Sequence, residues 1–219
     1  MSVTITMTSD FICPWCLIGE QRLFEAIDGL PPGLDVQVDW RPFELNPHMP
    51  KEGMDRKLYR SQKFGSWARS QELDAYTVAA GKREGIAFDY DRMTRTPNTF
   101  AAHRLTWLAA REGRQRAVAE GILCGYFTEG RDVGDLDTLA EIAGEAGLDR
   151  ERVRAFLASN EGEVEVRALI EGAVARGVAG VPHFDIDGSV VTGAQRPETL
   201  RHAILAAQAR KAHAPQAAE

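Results

Sequence analysis

The sequence predicts an α/β fold. A small sheet is assembled from a β-α-β segment at the start of the chain and an α-β-β-α segment near its end, with a large all-helical insertion between them. Three observations carry this expectation. Val3, Ile5 and Met7 alternate with Thr4, Thr6 and Thr8, the period-two pattern of a strand rich in β-branched residues. The pair Cys13 and Cys16 follows at once, separated only by Pro14-Trp15. Strand-like alternation then vanishes between about 55 and 176 and returns at Phe184 and Ile186.

The first helix is marked by Leu17, Ile18, Leu23, Phe24 and Ile27, which recur at helical spacing as far as Gly29. Pro31-Pro32-Gly33 forbids continuation. Val36, Val38 and Trp40 then define a second strand over 34–40, which a right-handed β-α-β connection makes parallel to the first. Three prolines make 41–50 an irregular loop. In the insertion, Thr96 as N-cap with Pro97 at the first helical position predicts a helix over 97–111. Further helices are expected near 114–128, 135–146 and 149–158. Asn160 with Glu163 has the spacing of a capping box and should open a helix reaching 176. Asp187-Gly188 reads as a hairpin turn ahead of Val190 and Val191, and a closing helix is expected over 197–211. The domains are therefore 1–52 with 160–211, an inserted helical domain over 53–159, and a frayed tail over 212–219.

The chain has 219 residues, 44% of them hydrophobic and 26% charged, enough to bury a substantial core. Its net charge of -6 recommends neither a nucleic-acid backbone nor an anionic membrane surface as partner. The first ten residues carry no signal-peptide pattern, and no apolar run is long enough to span a bilayer. Three cysteines, two of them in one C-x-x-C, do not make a disulfide framework. A cytoplasmic protein with a working dithiol is the expectation.

Strand, dithiol and helix in that order is the arrangement of a thioredoxin-like domain. Cys13 should sit at the helix N-terminus, where free N–H groups and the positive end of the dipole favour a thiolate. Pro14 suits the first turn, whose N–H has no helical partner. Cys13 is thus expected to be the exposed nucleophile, and Cys16, one turn further and more buried, the resolving thiol. Pro14-Trp15 supplies no cation to the sulfurs and Asp10 would oppose a nearby thiolate, so a less oxidising couple is expected. Zinc is the competing reading of C-x-x-C. It needs four ligands in most structural sites, and no second C-x-x-C or H-x₃₋₅-H pair exists, so no metal is assigned. Cys124 stands alone and reads as a small buried hydrophobe. Val181-Pro182, entering the returning strand, is expected to be a cis pair facing the cysteines, where it docks substrate backbone.

Several stretches in order along the chain resemble the DsbA-like thioredoxin-fold family, in its FrnE and 2-hydroxychromene-2-carboxylate isomerase branch. They are Asp10-Phe11-Ile12-Cys13-Pro14-Trp15-Cys16, Arg41-Pro42-Phe43-Glu44-Leu45-Asn46-Pro47, Asn98-Thr99 and Ala102-His103-Arg104-Leu105. Tyr126-Phe127-Thr128-Glu129-Gly130-Arg131-Asp132, Gly177-Val178-Ala179-Gly180-Val181-Pro182-His183-Phe184 and Gly193-Ala194-Gln195 complete them. The resemblance implies a thioredoxin fold with a helical insert, and thiol–disulfide oxidoreductase activity. Glutathione-dependent isomerases and transferases of the same branch carry a serine where Cys13 stands, so two cysteines argue for dithiol exchange. Leu17 and His183 depart from the tyrosine and the aromatic usual at those positions.

Trp15, between the cysteines, is expected at the mouth of the site as an apolar contact. His183 is a candidate to approach the sulfurs, against the ordinary reading of a half-exposed strand residue. His103 reads as a hydrogen-bonded packing histidine. Asn46 is a binding candidate, because the resemblance places substrate contacts in its loop, and equally a turn former before Pro47. The leading expectation is a protein disulfide oxidoreductase acting on thiol- or disulfide-bearing proteins or small molecules. No cofactor is bound, and glutathione or another thiol serves as redox partner; a homodimer is compatible with the sequence. The alternatives are a glutathione-dependent isomerase or transferase acting on an aromatic small molecule, and a non-catalytic chaperone presenting the helical insert.

Overall fold

A computed structural model describes residues 2–213. The sheet has the order β2-β1-β5-β6, built from β1 (Ser2–Ser9), β2 (Asp35–Pro42), β5 (His183–Ile186) and β6 (Ser189–Thr192). β1 is central. It pairs in parallel with β2 from Ser2↔Asp35 to Ser9↔Pro42, and antiparallel with β5 through Thr8↔His183 and Met7↔Phe184. The alternation of β1 drives Val3, Ile5 and Met7 into the core. The hairpin from β5 to β6 closes through Asp187 and Gly188, at φ 47° and 85°, and the positive φ at both positions explains why Asp-Gly occupies this turn.

β2 continues two residues beyond the expected 40. Arg41 and Pro42 stay in register with Thr8 and Ser9, and the Phe43 amide donates to the Ser9 carbonyl at 3.0 Å. Pro42 is tolerated because β2 is an edge strand, where a missing N–H interrupts no second ladder. Helix α1 (Pro14–Asp28) packs against α9 (Pro197–His213), and α8 (Glu163–Ala175) packs on β2. Gly19 is the close approach of α1 to the returning chain, since a Cβ there would come within 2.8 Å of Pro182 and 3.3 Å of Phe184. α9 runs to His213, two residues into the expected tail, whose remainder over 214–219 lies outside the described residues.

The insertion contains α2 (Arg56–Phe64), α3 (Trp67–Arg83), α4 (Phe100–Arg111), α5 (Gln115–Phe127), α6 (Leu136–Glu145) and α7 (Arg150–Ala158). It is not wholly helical: β3 (Met54–Asp55) and β4 (Arg95–Thr96) form a two-residue antiparallel ribbon. Thr96 is therefore a buried strand residue rather than an N-cap, and α4 starts at Phe100, whose amide donates to Asn98 Oδ1 at 2.9 Å. The capping box at Asn160 and Glu163 does not form either. α8 begins after Gly162 at φ 77° with no side-chain cap.

The reason lies in Arg104. This buried guanidinium on α4 donates to the carbonyls of Phe156, Leu157, Ser159 and Glu161 at 2.7–3.2 Å, so it shapes the whole turn between α7 and α8. One continuous buried cluster runs from β1 and α1 through α4 to α7. Among the described residues no helix is long and apolar enough to cross a membrane. Replacing Arg104 by Met keeps the aliphatic stem but strands those carbonyls. We expect Arg104→Met to lower unfolding free energy by about 3 kcal/mol in urea titration, and a change below about 0.5 kcal/mol would refute this role.

Candidate active site

The turn after β1 decides where the sulfurs sit. The Cys13 amide donates to the Asp10 carbonyl at 3.1 Å, and the Cys16 amide to the Cys13 carbonyl at 2.9 Å, so the chain passes from strand to helix within four residues. Cys13 is the N-cap of α1 in extended conformation, with Pro14 opening the helix. Its Sγ lies 3.5 Å from the Val181 carbonyl oxygen, a contact across 168 residues, and the Val181–Pro182 peptide is cis as expected. Cys13, Pro14, Trp15, Cys16, Val181 and Pro182 thus meet at one end of the sheet.

Cys13 is less open than expected, at 6% exposure, because the Val181 segment covers it; Cys16 is at 0%. The contrast between the two thiols survives in their surroundings. Burial, and then the Cys13 sulfur beside it, push the Cys16 thiol well above its ordinary range. Asp10 is completely buried, and its Oδ2 accepts from the Leu45 amide at 2.7 Å. Its Oδ1 lies 3.5 Å from His103 Nε2, which also contacts the Phe43 carbonyl at 3.0 Å. His103 is therefore a hydrogen-bonded packing residue, with the Phe11 ring tilted against it at 4.9 Å between ring centroids.

Asn46 does not line the space at the sulfurs. Its Oδ1 instead accepts from Tyr59 and from Lys63 Nζ, holding α2 against the loop. His183 sits on the strand face opposite Phe184 and lines a separate shallow depression with Val181 and Pro182. Cys124 lies in α5 and is half-buried, and burial followed by Glu120 pushes its thiol up to about 11.

A cavity of about 380 Å³ opens at Cys13 between the turn after β1 and the insert. Trp15, Leu45, Tyr76 and Phe127 give it aromatic and apolar walls, while Arg56, Arg60 and Lys63 give it positive charge. Asp74 is the one carboxylate on this wall, and it accepts from both Arg56 and Arg60 at 2.7 Å. Arg56 is only 3% exposed and lies over the Trp67 and Tyr90 rings. Two positive charges remain unmatched there, in a protein of net charge -6. The readable signal was the spacing of Arg56, Tyr59, Arg60 and Lys63, which puts all four on one face of α2.

The model of the DSBA-like thioredoxin domain matches residues 4–205, and the chain belongs to that family. The uncharacterized protein YwbO of Bacillus subtilis (strain 168) is 28% identical over 212 residues, covering 96% of this chain and all of that one. A probable DsbA oxidoreductase, SCO1869 from Streptomyces coelicolor, superposes with a TM-score of 0.89 at 33% identity, over 99% of this chain and 94% of the other. A 2-hydroxychromene-2-carboxylate isomerase shares the fold at a TM-score of 0.73 and 18% identity, over 97% of this chain and 100% of the other. The chain is a DsbA-like redox protein with a thioredoxin-like fold and a helical insertion.

The two site thiols should differ in reactivity. In the reduced protein at pH 7.5, iodoacetamide is expected to label Cys13 first, half-buried Cys124 more slowly, and Cys16 only after unfolding, as peptide mass spectrometry would resolve. Labelling of Cys16 as fast as Cys13 in the folded protein would contradict the assignment of the buried thiol.

Proposed function

We propose that the chain is a thiol–disulfide oxidoreductase whose working pair is Cys13 and Cys16. The observation that carries this reading is the approach of the helix-capping Cys13 sulfur to the Val181 carbonyl, with the buried Cys16 thiol one turn behind it. In this reading the Cys13 thiolate attacks one sulfur of a substrate disulfide. The substrate S–S bond breaks, a Cys13–substrate disulfide forms, and the departing sulfur takes up a proton. Cys16, protonated until then, releases its proton and attacks Cys13 Sγ. The second substrate thiol leaves, the substrate has gained two electrons, and a Cys13–Cys16 disulfide remains. Two molecules of a small thiol of the glutathione class then return the pair to the dithiol by successive exchange and leave as their own disulfide.

Val181-Pro182 flanks the nucleophile and is the surface along which an extended substrate segment would dock, with Trp15 as its apolar contact. Asn46 acts one step removed, by holding Tyr59 and Lys63. His183 contributes to the outer face of the same segment. A reducing, cytoplasmic setting suits a pair with no cation between its cysteines and a third cysteine, Cys124, that is free.

One observation favours a second reading. The aromatic, positively charged cavity at Cys13 also suits a glutathione-dependent isomerase or transferase acting on an aromatic small molecule. Turnover of insulin and of a small aromatic disulfide, with dithiothreitol or glutathione as reductant, separates the two. For the oxidoreductase, Cys13→Ser should lose at least about a hundredfold in rate, and Cys16→Ser should accumulate a mixed disulfide visible by mass. Unchanged turnover in Cys13→Ser would sink that reading. Activity retained in Cys16→Ser, together with stoichiometric glutathione binding, would favour the isomerase.

A further inference from the structure

A second cleft, of about 390 Å³, lies on the side of α1 that faces α5. Leu17, Glu20 and Phe24 follow one another at helical spacing along its α1 wall, so a carboxyl stands where an apolar stripe would continue. Glu20 is 3% exposed, and neither of its oxygens has a hydrogen-bond partner among the described residues. A buried carboxyl without a donor is costly, and one lining a cleft is satisfied by what enters it.

The charges around Glu20 define that entrant. Across the cleft α5 presents Arg116, Glu120 and Cys124, and the segment 84–87 presents Glu84 beside apolar Ile86. Glu84 is already engaged by Arg22 at 2.6 Å. The Arg116 guanidinium lies 3.4 Å from the centroid of the Phe24 ring and makes no ion pair with Glu20. With Glu84 paired to Arg22, the carboxyls of Glu20 and Glu120 stand against one lining cation among the described residues, Arg116, so no surplus positive charge is on hand for an anion. A metal ion is disfavoured too, because no three His, Cys, Asp or Glu side chains among the described residues could hold one. The remaining fit is a donor-rich cation with an apolar body, which Leu17, Phe24 and Ile86 would receive.

We propose that this cleft is a second binding site, separate from the dithiol, for an organic ammonium ion on an apolar stem, with Glu20 as its counter-ion. The ammonium brings three N–H donors to the two Glu20 oxygens, with Glu120 adding attraction from the opposite wall. Burial, then Glu120, push the Glu20 carboxyl up to about 8 against the opposing pull of Arg116, so without ligand at pH 7 it keeps its proton. Ammonium binding ionises it. The ligand retains all its protons and one proton passes from Glu20 to the buffer.

Calorimetry on the full chain with phenethylamine tests this, with phenethyl alcohol as the uncharged comparison. Saturable binding of the amine at pH 7 is expected, with a heat that changes with the ionisation enthalpy of the buffer. Glu20→Gln preserves shape and removes the counter-ion, so it should weaken amine binding by about tenfold or more. Cys13→Ser with Cys16→Ser should bind the amine as before, and bound amine should slow alkylation of Cys124. Absence of amine binding, equal binding of the alcohol, a buffer-independent heat, or full affinity in Glu20→Gln would each overturn the proposal. The buffer dependence is measured on the unaltered protein and decides the matter even if Glu20→Gln fails to fold.

Discussion

Strand β1 is held on both sides, in parallel by β2 and antiparallel by β5, and the candidate site depends on that double pairing. The parallel partner comes from the same end of the chain, through α1. The antiparallel partner comes from beyond the whole insertion. Because Thr8 pairs with His183, the turn that follows β1 is brought beside the peptide that precedes β5. The Cys13 sulfur then finds the Val181 carbonyl, and no local feature of either segment would suffice to bring them together. A register slip of one residue would exchange the two faces of β5 and carry Phe184 out of the core.

The insertion supplies what the sheet cannot. A dithiol on the rim of a small sheet has only a shallow surface beside it. Here α2 and α3 roof that rim with aromatic rings and three cations, and Asp74 binds two of them in fixed positions. The Asn46 contacts to Tyr59 and Lys63 tie the loop after β2 to the same roof. In the proposed oxidoreductase, selectivity would rest with the insertion and the reactive sulfurs with the thioredoxin-like part.

Several ionisable groups are buried, and each has a distinct solution. Arg104 is satisfied by backbone carbonyls and in return determines how α7 passes to α8. Asp10 is held by the Leu45 amide and approached by His103 from the insertion, so the chain behind the dithiol is locked from both sides. Cys16 stays protonated because nothing beside it stabilises a thiolate more than burial opposes one. Glu20 differs from these three, because neither of its oxygens has a hydrogen-bond partner among the described residues.

The sequence by itself determined the strands, the dithiol at a helix N-terminus, the Asp187-Gly188 turn and the large insertion. These are governed by local periodicity, by the fixed φ of proline and by positive φ at one turn. It also pointed to Val181-Pro182, though there the family resemblance added what local chemistry lacked. Local rules failed where a distant group took over the backbone. Thr96 and Asn160 look like helix caps, but strand pairing with Met54 claims the first and the carbonyl demands of Arg104 override the second. Only the tertiary structure decided that Cys13 is covered, that Asn46 bonds to α2, and that Arg56, Arg60 and Lys63 line the cavity that opens at Cys13. It alone revealed that Glu20 faces a cleft without a donor. Burial and charge balance arise from elements far apart in the chain, and no window of sequence contains them.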